Sequence, residues 1–412
     1  MQEIQKMSRG KLLERAKRFI FSTALTDSAS KLSRLNFRYG LAKMHLVQDH
    51  LGMDPTATFI AAPDCTITRN LQRWRNGIGY GGKVTWGDGT DPVIFIDTMP
   101  NACGMLAGTL DAIPDPIELI QRVHDMNARS GEIRIEGVPI HWNFGSGNHF
   151  INVFEVFPNP AVVDSADLPQ YSFITHSSPS ELKSDNNPRE LGLYYHQSEN
   201  LQEISETLET PFGDIHYLVD DAAYKYLEFF QWADRIGAER RKIAGKLLFG
   251  DFEVITNKTH QGMIHMNEVA LGTHVFDNRN GTDLYPLTLR SDIPCYLMKG
   301  FPNFNEDAIE TLNFAERMRT FNLEERISSA NILPHGGGYT FPHIVAIPEI
   351  FETVEKRRYF SVDLGTGIGS KIFETPRELQ FSYRGRQVLV QTIDLGLGEI
   401  VARMVPRFAL KV

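Results

Sequence analysis

The sequence has few cysteines and no long apolar run, and each shortage excludes a class of protein. Its 412 residues include three cysteines, Cys65, Cys103 and Cys295, which are widely spaced and odd in number. A disulfide framework needs paired cysteines, so we expect a reducing compartment. No run of roughly 18 apolar residues occurs, and the charged N-terminus lacks the apolar core of a signal peptide. We therefore predict a soluble cytoplasmic protein that does not associate with membranes.

The chain also has fewer basic than acidic residues. The chain has 51 acidic and 42 basic residues, for a formal net charge of −9. Proteins hold nucleic acid largely through Lys and Arg contacts with phosphate, so this overall field disfavours a general nucleic-acid binder. Any RNA contact must rest on a local basic face. The best candidate is the C-terminal half of a helix predicted over 220–248, with Arg235, Arg240, Arg241 and Lys242.

The most informative stretch is His335 followed by Gly336, Gly337 and Gly338. Glycine has no Cβ, so such a loop leaves the imidazole unshielded and lets backbone N–H groups approach a phosphate. This pattern suits a nucleophile that reacts with a nucleotide, although chain reversal alone also produces it. The same run forms the oxyanion hole of lipase-like hydrolases, but these need a Gly-x-Ser-x-Gly pentapeptide, which this sequence lacks.

Four further residues are potential metal ligands. Each is predicted to lie at a strand end beside glycine or polar turn residues, namely Cys103, His149, His176 and His260. Alone, each is also compatible with an ordinary core position. Together, one thiolate and three imidazoles suit Zn²⁺, Mn²⁺, Fe²⁺ or Co²⁺, and they point to metal-assisted attack at phosphorus.

Hydrophobic periodicity and turn residues predict the scaffold around these motifs, and the length of the chain allows one or two domains. The polar segment 184–209 is interpreted as a surface insertion. Helices are predicted at 11–50 with a break near 26–28, at 116–129, at 220–248 and at 311–323, strands at 58–62, 93–96, 252–255 and 408–412, and a turn at 278–281.

In their order and context these motifs resemble the RtcB-type RNA ligases, also called tRNA-splicing ligases. The resemblance covers most of the chain, and its most specific block is Gly-Ser-Gly-Asn-His-Phe at 145–150. It implies one catalytic domain over 1–412 with a mixed α/β (α+β) fold, in which central sheets are flanked by helices. The other matching blocks lie at 63–64, 102–105, 173–178, 233–241, 259–262, 335–338 and 408–411.

The resemblance also implies an activity, that of a GTP-dependent RNA ligase. Such an enzyme joins RNA 2′,3′-cyclic phosphate or 3′-phosphate ends to 5′-hydroxyl ends, with GTP and one or two Mn²⁺ ions. His335 would attack the α-phosphate of GTP, and the resulting histidine–GMP intermediate would activate the RNA 3′-phosphate. By the same resemblance, the metal would be held by Cys103, His149, His176 and His260, and the nucleotide by Asn148, Gly336, Gly337, Gly338 and Lys411.

Several positions depart from the family pattern. Pro100 stands where the family has a metal-binding aspartate, and Asp97 is a possible substitute. Asn152 replaces a glutamate, Tyr339 an arginine and Thr66 a histidine. These changes bear on the second metal and on nucleotide recognition. Two alternatives therefore stay open, a metal-dependent phosphohydrolase on the same fold and a non-catalytic RNA-binding homologue.

Overall fold

The computed structural model describes residues 4–163, 167–277, 282–367 and 369–411. Within these ranges the chain folds into ten α-helices and 23 strands, which confirms a mixed α+β architecture. None of the described helices is both long enough and apolar enough to cross a bilayer. The helices are α1 (Arg9–Lys17), α2 (Ser28–His50), α3 (Leu71–Asn76), α4 (Pro116–Ala128), α5 (Glu199–Glu203), α6 (Asp220–Phe249), α7 (Glu306–Thr311), α8 (Ala315–Phe321), α9 (Glu324–Ser328) and α10 (Gln387–Asp394).

The strands follow in chain order. They are β1 (Ile20–Ser22), β2 (Thr58–Thr66), β3 (Tyr80–Thr85), β4 (Val93–Ile94), β5 (Cys103–Leu110), β6 (Arg134–Ile135), β7 (Val138–Pro139), β8 (Phe150–Pro158), β9 (Tyr171–Ser177), β10 (Glu206–Leu208), β11 (Ile215–Val219), β12 (Val254–His265), β13 (Glu268–Leu271), β14 (Thr273–Val275), β15 (Tyr285–Leu287), β16 (Cys295–Gly300), β17 (Ile332–Pro334), β18 (Tyr339–Thr340), β19 (Ile350–Glu352), β20 (Arg358–Val362), β21 (Lys371–Phe373), β22 (Ser382–Tyr383) and β23 (Gly398–Leu410).

One large sheet organises the fold. Its eleven strands run in the order β1-β2-β3-β13-β12-β5-β9-β8-β23-β16-β15. Strand β1 pairs parallel with β2, and the other neighbours in this sheet pair antiparallel. The two long helices pack against it, α2 on β2 and α6 on β5, β9 and β12. Strands distant in sequence therefore lie side by side beneath α6.

The predicted long helices are confirmed, with local differences. The break near 26–28 is the start of α2, where the side chain of Asp27 accepts a hydrogen bond from Ser30 N and caps the helix. The short strand β1 separates α1 from α2. The helix predicted over 311–323 is confirmed in its central part by α8, but residues 312–314, between α7 and α8, are not helical. The predicted turn at 278–281 and Val412 lie outside the described residues.

The basic cluster predicted on α6 lies only partly on the surface, because Arg235 and Lys242 are exposed but the other two members are not. Arg240 and Arg241 are fully buried, at 0% exposure. The apolar positions Ala233, Ile236 and Gly237 define the face of α6 that is buried against the sheet, and residues three or four positions later fall on the same face. Arg240 and Arg241 therefore point inward. Arg240 pairs with Glu181 at 3.4 Å, and Arg241 donates to Asn257 Oδ1 at 2.7 Å.

The segment 184–209 lies partly on the surface and partly in the core. Leu191, Leu193 and Leu201 are buried, so this segment contributes apolar packing as well as polar surface. The hydroxyl of Tyr194 accepts a hydrogen bond from Asn101 Nδ2 at 3.2 Å. One part of the segment thus reaches the neighbourhood of Cys103.

Candidate active site

Four neighbouring strands of the large sheet carry the predicted metal ligands. Cys103 is the first residue of β5, His149 directly precedes β8, and His176 lies at the end of β9. Because β5 and β8 both run antiparallel to β9, the starts of β5 and β8 meet the end of β9, with Gly104 opposite Ser177. For His260 the predicted position at a strand end is wrong. It lies inside β12, at a register shift where that strand passes Cys103.

The ligand atoms of this group lie close together. Cys103 Sγ is 3.1 Å from His176 Nε2, which in turn is 3.2 Å from His260 Nε2. Around a tetrahedral ion with ordinary Zn–S and Zn–N bonds, neighbouring ligand atoms are about 3.3–3.6 Å apart. The buried group of Cys103, His176 and His260 could therefore hold a metal ion. His149 Nε2 lies 3.6 Å from Cys103 Sγ, beside this three-residue group rather than within it.

Backbone carbonyls orient two of the imidazoles for binding a metal. Nδ1 of His149 lies 3.1 Å from the Asn143 carbonyl oxygen, and Nδ1 of His176 lies 3.0 Å from that of Asn148. A carbonyl oxygen only accepts, so each Nδ1 carries the proton and each Nε2 keeps a free lone pair. The structure thus gives Asn148 a role through its backbone, in addition to the predicted contact with nucleotide.

Burial keeps these ligands neutral in the absence of a cation. It lowers the pKa of His149 to about 4 and holds the pKa values of His176 and His260 well below their usual range. It also raises the pKa of the Cys103 thiol to about 12. Because a metal ion binds the thiolate, metal binding would release the thiol proton.

A second centre lies next to this group, around His335. Asp64 in β2 accepts three hydrogen bonds at Oδ2, from His335 Nδ1 at 2.8 Å, from His335 N at 3.1 Å and from Gly336 N at 3.2 Å. The carboxylate therefore keeps the proton on Nδ1 and leaves the lone pair on Nε2. The rings of His335 and His260 are 4.5 Å apart between centroids. The candidate nucleophile thus lies directly beside a candidate metal ligand.

The glycines after His335 permit a close approach of this loop to its neighbours. A Cβ on Gly337 would lie 2.6 Å from the carbonyl oxygen of Arg384, and one on Gly338 would lie 2.4 Å from that of Asp64. Gly338 also has φ of +64°, which other residues rarely adopt. Glycine is therefore required at both positions for the loop after His335 to pack against Asp64 and Arg384.

Both centres open into one cavity of about 850 Å³. Cys103, His149, His176 and His335 line it, whereas His260 lies behind its wall. The Nζ of Lys411 contacts the carbonyl oxygen of Gly147 in the loop that precedes His149. The residues predicted to bind nucleotide also line this cavity, namely Asn148, Gly336, Gly337, Gly338 and Lys411.

The lining of the cavity is strongly cationic, in contrast to the net charge of the chain. Asp292 is the one carboxylate among the described lining residues, and Arg290 binds both of its oxygens at 2.9 and 2.6 Å. A ligand with several negative charges is therefore favoured here. The cationic lining residues are Arg69, Arg73, Lys183, Arg290 and Lys411.

No protein-family model matches this chain, and no curated protein does. The family resemblance therefore rests on the sequence motifs alone. The resemblance can be tested by asking whether the site carries out the reaction that the family implies.

The structure also places the positions that depart from the family pattern. Asp97 is not part of the candidate metal group, and its carboxylate instead accepts from His216 N and lies 3.1 Å from His216 Nδ1. It therefore does not replace the aspartate that is absent at Pro100. Thr66 donates to the carbonyl oxygen of Tyr339 at 2.9 Å, so two of the substituted positions contact each other at the cavity wall.

Sequence reasoning did not assign roles to two residues of this site. Asp64 belongs to a motif noted in the sequence, but its contact with His335 spans 271 positions and has no local signal. Arg73 lies on a short helix whose apolar spacing does not show that one arginine is buried. Both assignments require the tertiary structure.

Proposed function

We propose that this protein is a divergent RNA ligase that acts through a GMP adduct of His335. One observation carries the proposal. His335 is held by Asp64 through Nδ1, faces a cationic cavity and lies against the ring of the metal ligand His260. A phosphohydrolase that activates water with a metal ion does not need an oriented imidazole nucleophile of this kind.

The first step would transfer GMP from GTP to the protein. The lone pair on Nε2 of His335 attacks the α-phosphorus, so that an N–P bond forms. The bond from the α-phosphorus to the bridging oxygen breaks, and pyrophosphate leaves with the electron pair. Asp64 keeps the proton on Nδ1 and stabilises the positive charge that develops on the ring. A metal ion bound by Cys103, His176 and His260 would supply neutralisation of the phosphate charge.

Two further transfers would join the RNA ends. An oxygen of the RNA 3′-phosphate attacks the phosphorus of the adduct, the N–P bond breaks, and GMP becomes attached to the RNA end. The 5′-hydroxyl of the second RNA then attacks the 3′-phosphorus and loses its proton to water. The bond from that phosphorus to the oxygen bridging to GMP breaks, and GMP leaves with the electron pair as the phosphodiester forms. A 2′,3′-cyclic phosphate end would first be opened by water to a 3′-phosphate. Lys411 and the other cationic lining residues would bind the phosphates during these steps.

The proposal predicts that the purified protein, incubated with Mn²⁺ and GTP labelled at the α-phosphate, retains the label. A phosphoramidate is labile to acid and survives alkali, so these treatments identify the bond, and peptide mass spectrometry is expected to locate GMP on His335. Label that is stable to acid, or that maps to another peptide, would contradict the proposal. Absence of label from a protein with verified metal content would favour the phosphohydrolase or the RNA-binding homologue.

Asp64→Asn is expected to slow GMP transfer by on the order of 10²- to 10⁴-fold. Asparagine has nearly the same shape, but it lacks the negative charge that fixes the tautomer of His335 and stabilises the developing imidazolium. The rate of label incorporation measures the effect. Asp292→Asn is the matched control, because Asp292 lines the same cavity and pairs with Arg290 rather than His335. Incorporation at the wild-type rate in Asp64→Asn would remove Asp64 from the mechanism.

A further inference from the structure

Arg73 is a buried cation at the wall of the cavity. It lies on α3, where the side chain of Asn70 caps the helix by accepting from Arg73 N at 2.9 Å. Its side chain donates to the carbonyl oxygens of Thr98 at 3.1 Å and Met99 at 2.5 Å. Arg73 is only 4% exposed, yet it lines the cavity. The two carbonyl groups therefore hold a guanidinium at a fixed position beside the ligand space.

The charge of Arg73 has no counter-ion among the described residues. Its near titratable neighbours are Tyr194 and Tyr80, and burial lowers its pKa. A buried charge without an opposite charge is costly, so such a group is generally compensated by a ligand or a partner. Three other buried arginines pair with carboxylates, Arg240 with Glu181, Arg358 with Glu352 and Arg384 with Asp27. Buried Arg241 donates instead to Asn257, but unlike Arg73 it does not line the cavity.

Arg73 lies close to both centres of the active site. Its guanidinium carbon is 5.9 Å from the centre of the Tyr80 ring, which is 5.5 Å from that of His335. On the other side, Met99 precedes Cys103 by four positions, and Asn101 Oδ1 accepts from Cys103 N at 3.0 Å. Tyr80 thus lies between the guanidinium and His335. The loop from Met99 to Cys103 lies between the guanidinium and the metal group.

We propose that Arg73 binds phosphate oxygens of the ligand in this cavity and acts as a fixed cation beside the metal group. The identity of that ligand as a nucleotide or an RNA 3′-phosphate rests on the proposed function. The phosphate site itself rests on the geometry around Arg73.

The charge of a polyphosphate ligand explains why a cation is needed at this position. One group of three metal ligands occurs in the described part of the chain, and a single divalent ion leaves much of the charge of a polyphosphate uncompensated. A guanidinium can bind two phosphate oxygens at once, and its position here is fixed before the ligand arrives. Arg73 therefore provides neutralisation that would otherwise require another cation.

The test measures binding to the full-length protein in Mn²⁺ by calorimetry, with three probes. These are inorganic triphosphate, GTP and an oligoribonucleotide that ends in a 3′-phosphate. We expect Arg73→Met to weaken binding of at least one probe by about 10-fold or more, because a charge-assisted contact is lost. Arg75→Met is the matched control, since Arg75 is exposed on the same helix and is absent from the cavity lining. Metal content is expected to be unchanged in both variants.

The pattern across probes identifies the source of the phosphate. Weaker binding of triphosphate and GTP places Arg73 at the nucleotide, and weaker binding of the oligoribonucleotide alone places it at the RNA end. Wild-type affinity of a folded Arg73→Met protein for all three probes would overturn the proposal and leave Arg73 a structural residue. If Arg73→Met does not fold, Arg73→Gln serves instead, because its amide can still donate to the Thr98 or Met99 carbonyl.

The binding result for Arg73→Met and the GMP labelling result test the two proposals separately. If the wild-type protein takes no GMP label but Arg73→Met still weakens triphosphate binding, the ligase proposal fails and the phosphate site stands. If the wild-type protein is labelled on His335 and Arg73→Met binds every probe normally, the ligase proposal stands and the phosphate site is wrong.

Discussion

Replacing His335 with alanine is expected to abolish the GMP label completely and to leave the metal content unchanged. In the proposed mechanism the imidazole provides the attacking Nε2, and it is the side chain that Asp64 holds. The metal should remain, because His335 is not one of the three grouped ligand residues. The amount of GMP label and the metal content are measured on the same preparation. Loss of the label with normal metal content indicates loss of the nucleophile, whereas loss of both indicates a general loss of structure.

His343→Ala is the control for this experiment. His343 is exposed and does not line the cavity, so its removal should leave both label and metal at the wild-type level. Label that persists in His335→Ala would place the nucleophile on another residue. Metal that disappears in His335→Ala would show that His335 is itself a ligand.

Cys103→Ala is expected to remove most of the bound metal and, with it, the GMP label. The Cys103 sulfur contacts both His176 Nε2 and His149 Nε2, so its loss takes away the ligand that links these imidazoles. A thiolate is also the charged member of the group, and the remaining imidazoles are neutral. Elemental analysis of the purified variant measures the effect.

Cys295→Ala provides a matched comparison. Cys295 is also buried, but it lies in β16 and is absent from the cavity lining. Its replacement should leave the metal content unchanged, whatever it does to stability. A normal metal content in Cys103→Ala would remove Cys103 from the site.

The ligand group was accessible from sequence because each member carries a local signal. Cys103 and His176 each adjoin a polar turn at the boundary of an apolar strand, and the structure brings these boundaries together. His260 also belongs to the group that could hold a metal, but its predicted position at a strand end is wrong, since it lies within β12. What the sequence could not show is the strand order, because pairings such as β5 with β12 join segments about 150 positions apart.

Two predictions failed for different physical reasons. One placed all the basic residues of α6 on the surface, and the other offered Asp97 as a substitute metal ligand. The periodicity that predicts the apolar face of α6 already places Arg240 on that face, so its burial was available from the sequence. The partner of Asp97 was not, because the contact with His216 joins residues 119 positions apart. The contact between Asp64 and His335 was likewise not available from the sequence, because it joins residues 271 positions apart.

The place of β23 in the sheet has a consequence for synthesis of the chain. This strand lies between β8 and β16, both of which precede it in sequence. While the polypeptide is still being translated, β8 and β16 have no partner between them and expose unpaired edges. Arg384, which binds the carbonyl oxygens of Asp64 and Gly337, also emerges late. The loop that holds His335 therefore gains these two contacts only after residue 384 has been synthesised, about 50 positions after the loop itself.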